Sequence, residues 1–452
     1  MDSYITDSAN SATALYTGHK SSVDALGVYA DSSPDPFDDP KVETVAEIFQ
    51  RLWKGGVGIV STAFIADATP GALTAHTRQR AQYGSVVDSF LNGNTNYTWT
   101  NWTGPDVLFG GGAEQFYPGK TSYKGQDYYK LFAEKGYNVV YNKTQLLATP
   151  SNKKTLGIFS KSNMAKWLDR NVYKDNLKGN KDAPDNSGGD AIDQPGLKEM
   201  TLKALEILTA RHSKEGFFLM SEAASIDKMM HVLDYDRALG ELLELDDTVK
   251  ATFEYLAKTK QDKETLVLVT ADHGHGFDVM GSVDTKYLLA QTEQRKKRNA
   301  VGIYEQSGES QYQNPAAASQ GESALVYTDG AHFPATWDPR YTLYAGVTAN
   351  PDRRETYQVH KKGPRVPATN ITGFPSSDSY ANPALDEGGI VVNGTLPVSA
   401  NQGVHSLTDV PVFAKGPCQE VFGGVYGNID VFYGMAECLG LSRPKGKGHG
   451  GY

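Results

Sequence analysis

The stretch Phe217–His231 reads FFLMSEAASIDKMMH. Phe217–Met220 is apolar at every position and lacks the alternation of a strand with one wet face. It therefore reads as a strand covered on both sides. Glu222, Asp227 and His231 follow within a few residues. Asp227 and His231 are spaced i, i+4, which puts both on one face of a helix, where they can grip one ion. A buried strand that hands polar residues to a helix is the building unit of an α/β sheet, and ligands gather at the carboxyl ends of such strands.

The same pattern recurs outward from this point. Short apolar runs occur at Val57–Ser61 (VGIVS), 107–109, 156–159, Leu266–Thr270 (LVLVT) and Val410–Ala414 (VPVFA). Between them lie helical periodicities at 44–54, 197–211 and 232–256. The alternation predicts an α/β fold: a three-layer sandwich with a mainly parallel central sheet flanked by helices. From 281 to 400 the pattern breaks down into a basic cluster (Arg295, Lys296, Lys297, Arg298) and loops rich in Gly, Pro, Ser, Asn and Tyr. The expected organisation is a core over 1–280, a large loop-rich insertion over 281–400, a return of the core over 401–442 and a disordered tail over 443–452.

Composition narrows the function. The chain has 452 residues, a formal charge of −9, 39% hydrophobic and 21% charged residues. This balance suits a sizeable core and argues against nucleic-acid binding by bulk charge. It leaves room for a small anionic substrate, because bound metal ions reverse the local sign. No run of about 18 apolar residues suggests a transmembrane helix, and no secretory leader is visible. Cys418 and Cys438 allow one disulfide or two free thiols, but not a four-thiolate metal site. Glycosylation sequons at Asn96, Asn101, Asn142, Asn370 and Asn393 lend mild support to a secretory-pathway protein.

Three further segments bear on chemistry. LVLVT is followed by ADHGHG, which holds Asp272, His273 and His275, and His405 stands just ahead of VPVFA. Taken singly, Asp227/His231 fits a surface pair, Asp272–His273 a turn and His405 a structural histidine. Taken together at strand ends, carboxylates and imidazoles without thiolates suit zinc or a similar divalent metal. After VGIVS comes Asp67-Ala68-Thr69-Pro70, with Pro70 suited to a helix start and Arg80 downstream. A guanidinium fork can take two phosphate oxygens, although a solvated helix face is the plainer reading of Arg80. Near the amino terminus, Asp7 or Ser8 fits a helix cap, and Ser8 also fits a nucleophile at a helix N-terminus, where amides favour an anion.

The chain resembles the alkaline phosphatase family of metal-dependent phosphomonoesterases. The resemblance rests on TDSANSATA at 6–14, DATP with its downstream Arg at 67–80, E-x4-D-x3-H at 222–231, TADH at 270–273 and the His405 segment, all in family order. It implies that Ser8 takes the phosphoryl group and that Arg80, steadied by Asp7, clamps the phosphate. It also implies two Zn2+ and one Mg2+. Asp227, His231 and His405 would hold one zinc, Asp272 and His273 the second, and Thr69 and Glu222 the magnesium. Asp67 would stand in the outer shell of the magnesium, and His275 matches a position behind the ligands. Hydrolysis of small phosphate monoesters with an alkaline optimum, a homodimer and an extracellular or vacuolar location follow from the same resemblance. Related phosphodiesterases and sulfatases use a similar two-metal core, but Thr69, Glu222 and Arg80 point to monoesters.

One feature of the family has no counterpart. Its chains carry an earlier central strand ending in a Gly-Asp-Gly type motif, whose Asp bridges the second zinc and the magnesium. Here seven residues precede Ser8 and no apolar run leads into it. The expectation is that the sequence as written lacks this strand, together with any leader or membrane anchor ahead of it. Such a chain would be marginally stable and poorly active, or an inactive homologue that still binds metal and phosphate.

Overall fold

The structure is a computed structural model that describes residues 5–94, 101–276, 278–281, 343–346, 353–355, 360–365, 390–392 and 402–441. The sequons at Asn96, Asn370 and Asn393, the basic cluster 295–298, most of the expected insertion 281–400 and the tail 443–452 lie outside these residues. The chain divides into two compact units, one of 1–226, 239–273 and 409–452, the other of 227–238 and 274–408.

In the first unit the helices are α1 (Ser8–Thr17), α2 (Val45–Trp53), α3 (Ala68–Gly71), α4 (Tyr83–Asn92), α5 (Tyr128–Glu134), α6 (Lys143–Ala148), α7 (Trp167–Asn171) and α8 (Leu197–Arg211). The strands are β1 (Gly56–Phe64), β2 (Val107–Gly111), β3 (Asn138–Val140), β4 (Thr155–Ile158), β5 (Phe217–Glu222) and β6 (Val267–Thr270). β1 to β5 form a sheet of order β3-β4-β2-β1-β5 in which every pairing is parallel. The register runs from Gly56↔Phe217 to Ser61↔Glu222, so the last residue of β5 stands beside Ser61 of β1.

Both faces of this sheet are covered, as the unbroken apolar runs require. Ile59, Leu108, Phe218 and Met220 pack into one hydrophobic cluster, whereas Val60, Val107, Phe109, Phe217 and Leu219 pack into another. Adjacent residues of one strand thus serve opposite layers. α8 closes on the second face, and a Cβ at Gly58 would come within 2.8 Å of Leu208 and Leu219. α2 shows why its sequence starts a helix where it does. Thr44 and Glu47 form a reciprocal capping box, and Lys54 ends the helix in the left-handed conformation.

The VPVFA run forms a strand, Val412–Lys415, which pairs antiparallel with β6 from Val412↔Thr270 to Lys415↔Val267. The C-terminal helix Asn428–Cys438 packs Val431 and Phe432 into the first cluster. Cys418 and Cys438 are joined by a disulfide, which settles the choice that composition leaves open.

The second unit holds Asp227–His231, the carboxyl end of α9 (Ser225–His231), and the first turn of α10 (Tyr235–Thr259). The periodicity that reads as one helix from 232 begins at Tyr235 instead. Leu233 takes a left-handed φ of 56°, and Asp234 Oδ1 accepts the amide of Arg237 at 3.2 Å, which caps the new helix. Arg237 and Asp234 form a fully buried ion pair at 3.1 Å. Arg237 also donates to the carbonyl of His360, and Asp234 Oδ2 accepts the amide of Arg365. This unit includes β7 (Gly274–His275), β8 (Asp278–Gly281), β9 (Leu343–Gly346), β10 (Arg353–Glu355), β11 (Ile390–Val392) and β12 (His405–Ser406), paired antiparallel as β7–β12, β8–β9 and β10–β11. Among the described residues no helix is long and apolar enough to cross a membrane.

Candidate active site and metal cluster

In the first unit, Asp7 caps α1, with Oδ1 accepting the amide of Asn10 at 3.1 Å. Ser8 is therefore the first helical residue, where backbone amides are not yet spent on the helix. Its Oγ lies 3.0 Å from His273 Nε2, and that nitrogen also stands 3.2 Å from Asp272 Oδ2. Ser11, one turn along α1, donates to the backbone carbonyl of Asp272 at 2.6 Å and fixes the loop after β6. Serine, imidazole and carboxylate thus meet at the start of one helix.

Arg80 is fixed from two sides. Nη1 reaches Asp7 Oδ2 at 3.3 Å and Nη2 reaches Asp67 Oδ1 at 2.8 Å. Burial works against its charge, but Asp67 and Asp7 outweigh burial and hold its pKa above the ordinary value. Arg80 is not on a solvated helix face. α3 ends at Gly71, and the chain then pairs Thr77 with Leu26 before Arg80 donates its amide to Asp24 at 2.8 Å. Asp67 caps α3, and Thr69 is that helix's second residue.

Glu222 Oε2 accepts the hydroxyl of Ser61 at 2.6 Å, a direct consequence of the β1–β5 register. The phenol of buried Tyr16 is pushed well above its ordinary pKa by burial, and then by the charges of Glu222 and Asp272. Both carboxylates therefore lie within electrostatic reach of one neutral side chain.

In the second unit, Asp227, His231, His275 and His405 each offer one ligand atom, and these atoms all lie within 4.8 Å of one another. Asp227 Oδ1 stands 3.3 Å from His231 Nε2 and 3.2 Å from His405 Nε2, and the two imidazole nitrogens are 3.2 Å apart. His231 Nδ1 lies 2.6 Å from the carbonyl of Gly403, which holds the proton there and leaves the Nε2 lone pair facing the cluster. Gly403 in turn donates its amide to the His231 carbonyl.

His275 is set differently. Its Nδ1 accepts the amide of Gly276 at 3.0 Å, so in the neutral ring Nε2 carries the proton. Nε2 stands 3.6 Å from Asp227 Oδ1, the longest of the three histidine–carboxylate distances in the cluster and beyond hydrogen-bond range. The β7–β12 pairing, His405↔His275, brings the two rings into the cluster. Nitrogen and oxygen donors converging on one point fit zinc. Periodicity and spacing did not single out Ser11, Ser61 or Gly403. Their contacts arise from strand register and from loops meeting across long stretches of chain, and no local pattern marks them.

The alkaline phosphatase family model matches residues 1–441, and the chain belongs to that family. It is 36% identical over 296 residues to alkaline phosphatase H of Pseudomonas aeruginosa, a match covering 62% of this chain and 60% of the relative. It is 34% identical over 313 residues to the alkaline phosphatase of Escherichia coli, covering 63% of this chain and 60% of the relative. The chain thus spans about three fifths of the length of these curated relatives. Among solved structures, a variant of TAB5 alkaline phosphatase with Mg bound in the M3 site superposes with a TM-score of 0.56 at 19% identity, covering 97% of this chain and 85% of that one.

Proposed function

We propose that the protein hydrolyses phosphate monoesters through a phosphoserine at Ser8. The observation that carries the reading is the placing of Ser8 Oγ, at the N-terminus of α1, 3.0 Å from His273 Nε2. Family membership supports the reaction class. Arg80, held between Asp7 and Asp67, presents its fork to two phosphoryl oxygens. The N-terminal end of α1 favours the same anion. Ser8 Oγ forms a bond to phosphorus as the ester P–O bond breaks and the alcohol departs. Water then attacks phosphorus on the opposite side from Ser8, releases inorganic phosphate and restores the serine.

The reading assigns three cations to these residues, of which the Asp227–His231–His405 set has its donor atoms gathered in one place. Asp227, His231 and His405 would hold one zinc, Asp272 and His273 a second, and Thr69 and Glu222 a magnesium, with Asp67 beyond it. Zinc, when bound, would supply Lewis-acid stabilisation of the attacking and leaving oxygens. His275 would orient the Asp227 carboxylate through Nε2–H rather than serve as a ligand. A homodimer and a secretory-pathway location complete the reading, the latter in keeping with the disulfide, which persists in oxidising compartments.

The test is hydrolysis of p-nitrophenyl phosphate at alkaline pH with zinc and magnesium supplied, beside the bis-ester and a chelator control. Turnover of the monoester that exceeds the bis-ester and stops on chelation is expected. Preference for the bis-ester, or turnover indifferent to chelation, overturns the reading.

A further inference from the structure

The loop Asp31–Lys41 is rich in aspartate and proline, ending PDPFDDPK from Pro34, and takes no part in the sites described above. Asp31, Asp38 and Asp39 each bring a carboxylate oxygen to one place, all within 4.8 Å of one another. Asp31 and Asp38 are exposed, but Asp39 is fully buried. Its Oδ1 accepts the amide of Asp31 at 2.8 Å, while Oδ2, equally shut off from solvent, has no hydrogen-bond partner. A buried carboxylate oxygen left in this way is costly unless a cation meets it.

Neither nearby cationic side chain hydrogen-bonds to Oδ2, although the Lys41 ammonium lies within electrostatic reach of Asp39 and Asp38. Arg78 Nη1 stands 3.6 Å from Asp31 Oδ1 and 4.0 Å from Asp39 Oδ1, and Arg78 Nη2 donates to the backbone carbonyl of Asp31. Lys41 Nζ donates to the carbonyls of Phe37 at 2.7 Å and Asp39 at 3.3 Å. Three carboxylates and two cationic side chains therefore share this place, and one buried carboxylate oxygen accepts no hydrogen bond.

We propose that Asp31, Asp38 and Asp39 bind a calcium ion. The donors are all oxygen, with no imidazole or thiolate, which selects a hard cation over zinc. An irregular loop suits calcium, which accepts variable oxygen geometry, better than magnesium, which demands a near-ideal octahedron. The loop is tied to the segment that leads into Arg80. Pro36 accepts both the amide of Arg78 at 3.2 Å and the hydroxyl of Thr77 at 2.7 Å. A cation here steadies the chain two residues before the phosphate-clamping arginine.

The test is equilibrium dialysis of the full chain against labelled calcium with zinc and magnesium at saturating levels, paired with thermal unfolding. Wild type should bind one calcium in or below the ~millimolar range of loop-type extracellular sites and gain in Tm. Asp38→Asn, at an exposed position that leaves the fold intact, should weaken binding at least about tenfold, the loss of one charged ligand. Asp39→Asn should abolish it. Absence of bound calcium in wild type, or equal affinity in wild type and Asp38→Asn, overturns the proposal and leaves Arg78 and Lys41 as the counter-charges.

Discussion

Ser8 Oγ and His273 Nε2 meet at 3.0 Å across 265 positions of chain. The contact joins the start of the first helix to the loop after β6, and Ser11 reinforces it by holding the Asp272 carbonyl. The nucleophile assigned to Ser8 is thus located by two hydrogen bonds from one helix face to one loop. Much of the proposed chemistry depends on groups being held in this way before substrate arrives.

Arg80 offers the simplest test of the phosphate clamp. Arg80→Lys keeps the charge but loses the planar fork that two carboxylates hold in place. The expected cost is about 10- to 100-fold in kcat/KM for p-nitrophenyl phosphate, the loss of a charge-assisted hydrogen bond. Inhibition by inorganic phosphate should weaken in parallel. An unchanged inhibition constant would remove Arg80 from the clamp.

The imidazole cluster predicts a contrast between two histidines. His405→Ala should leave the purified protein one zinc short by elemental analysis. His275→Gln should still bind that zinc, with affinity lowered about 10- to 100-fold as expected for a partner behind a ligand. Equal zinc loss in both variants would make His275 a direct ligand.

His76 predicts a pH dependence of stability. Its ring is buried, with Nδ1 2.8 Å from the Gly27 carbonyl and Nε2 3.0 Å from Glu47 Oε1. Burial lowers its pKa, but Glu47 and the Gly27 carbonyl outweigh burial and raise it above 6.5. A raised folded pKa means that this stabilisation is fully present below the unfolded value of about 6.5 and is lost as pH rises through the folded value. Wild-type Tm should therefore fall across that interval by more than the Tm of His76→Gln, as read by thermal unfolding at stepped pH. Parallel curves would refute the assignment.

The sheet was largely legible because buried parallel strands leave a local mark. VGIVS, FFLM and the runs at 107 and 156 lie in β1, β5, β2 and β4, all in the parallel sheet. β3 was not legible, since Asn138–Val140 is too short to show a period. Nor was the break at Leu233, where backbone conformation rather than hydrophobicity separates α9 from α10 and moves the start of the predicted period to Tyr235. At the candidate site, residue types and spacing pointed to Asp227, His231, Asp272 and His273. The pairing of Asp7 with Arg80, the Ser61–Glu222 bond and the tautomer of His275 depend on loops and register, which no single stretch encodes.

Phosphoryl transfer to Ser8 is tested most directly by trapping the phosphorylated chain. The protein would be loaded with zinc and magnesium, mixed with substrate, quenched in acid within a single turnover and mapped by peptide mass. Phosphate is expected on the peptide containing Ser8, with no phosphorylation and at least about a thousandfold less turnover in Ser8→Ala. Sustained turnover by Ser8→Ala, or phosphate on another residue, would contradict that transfer.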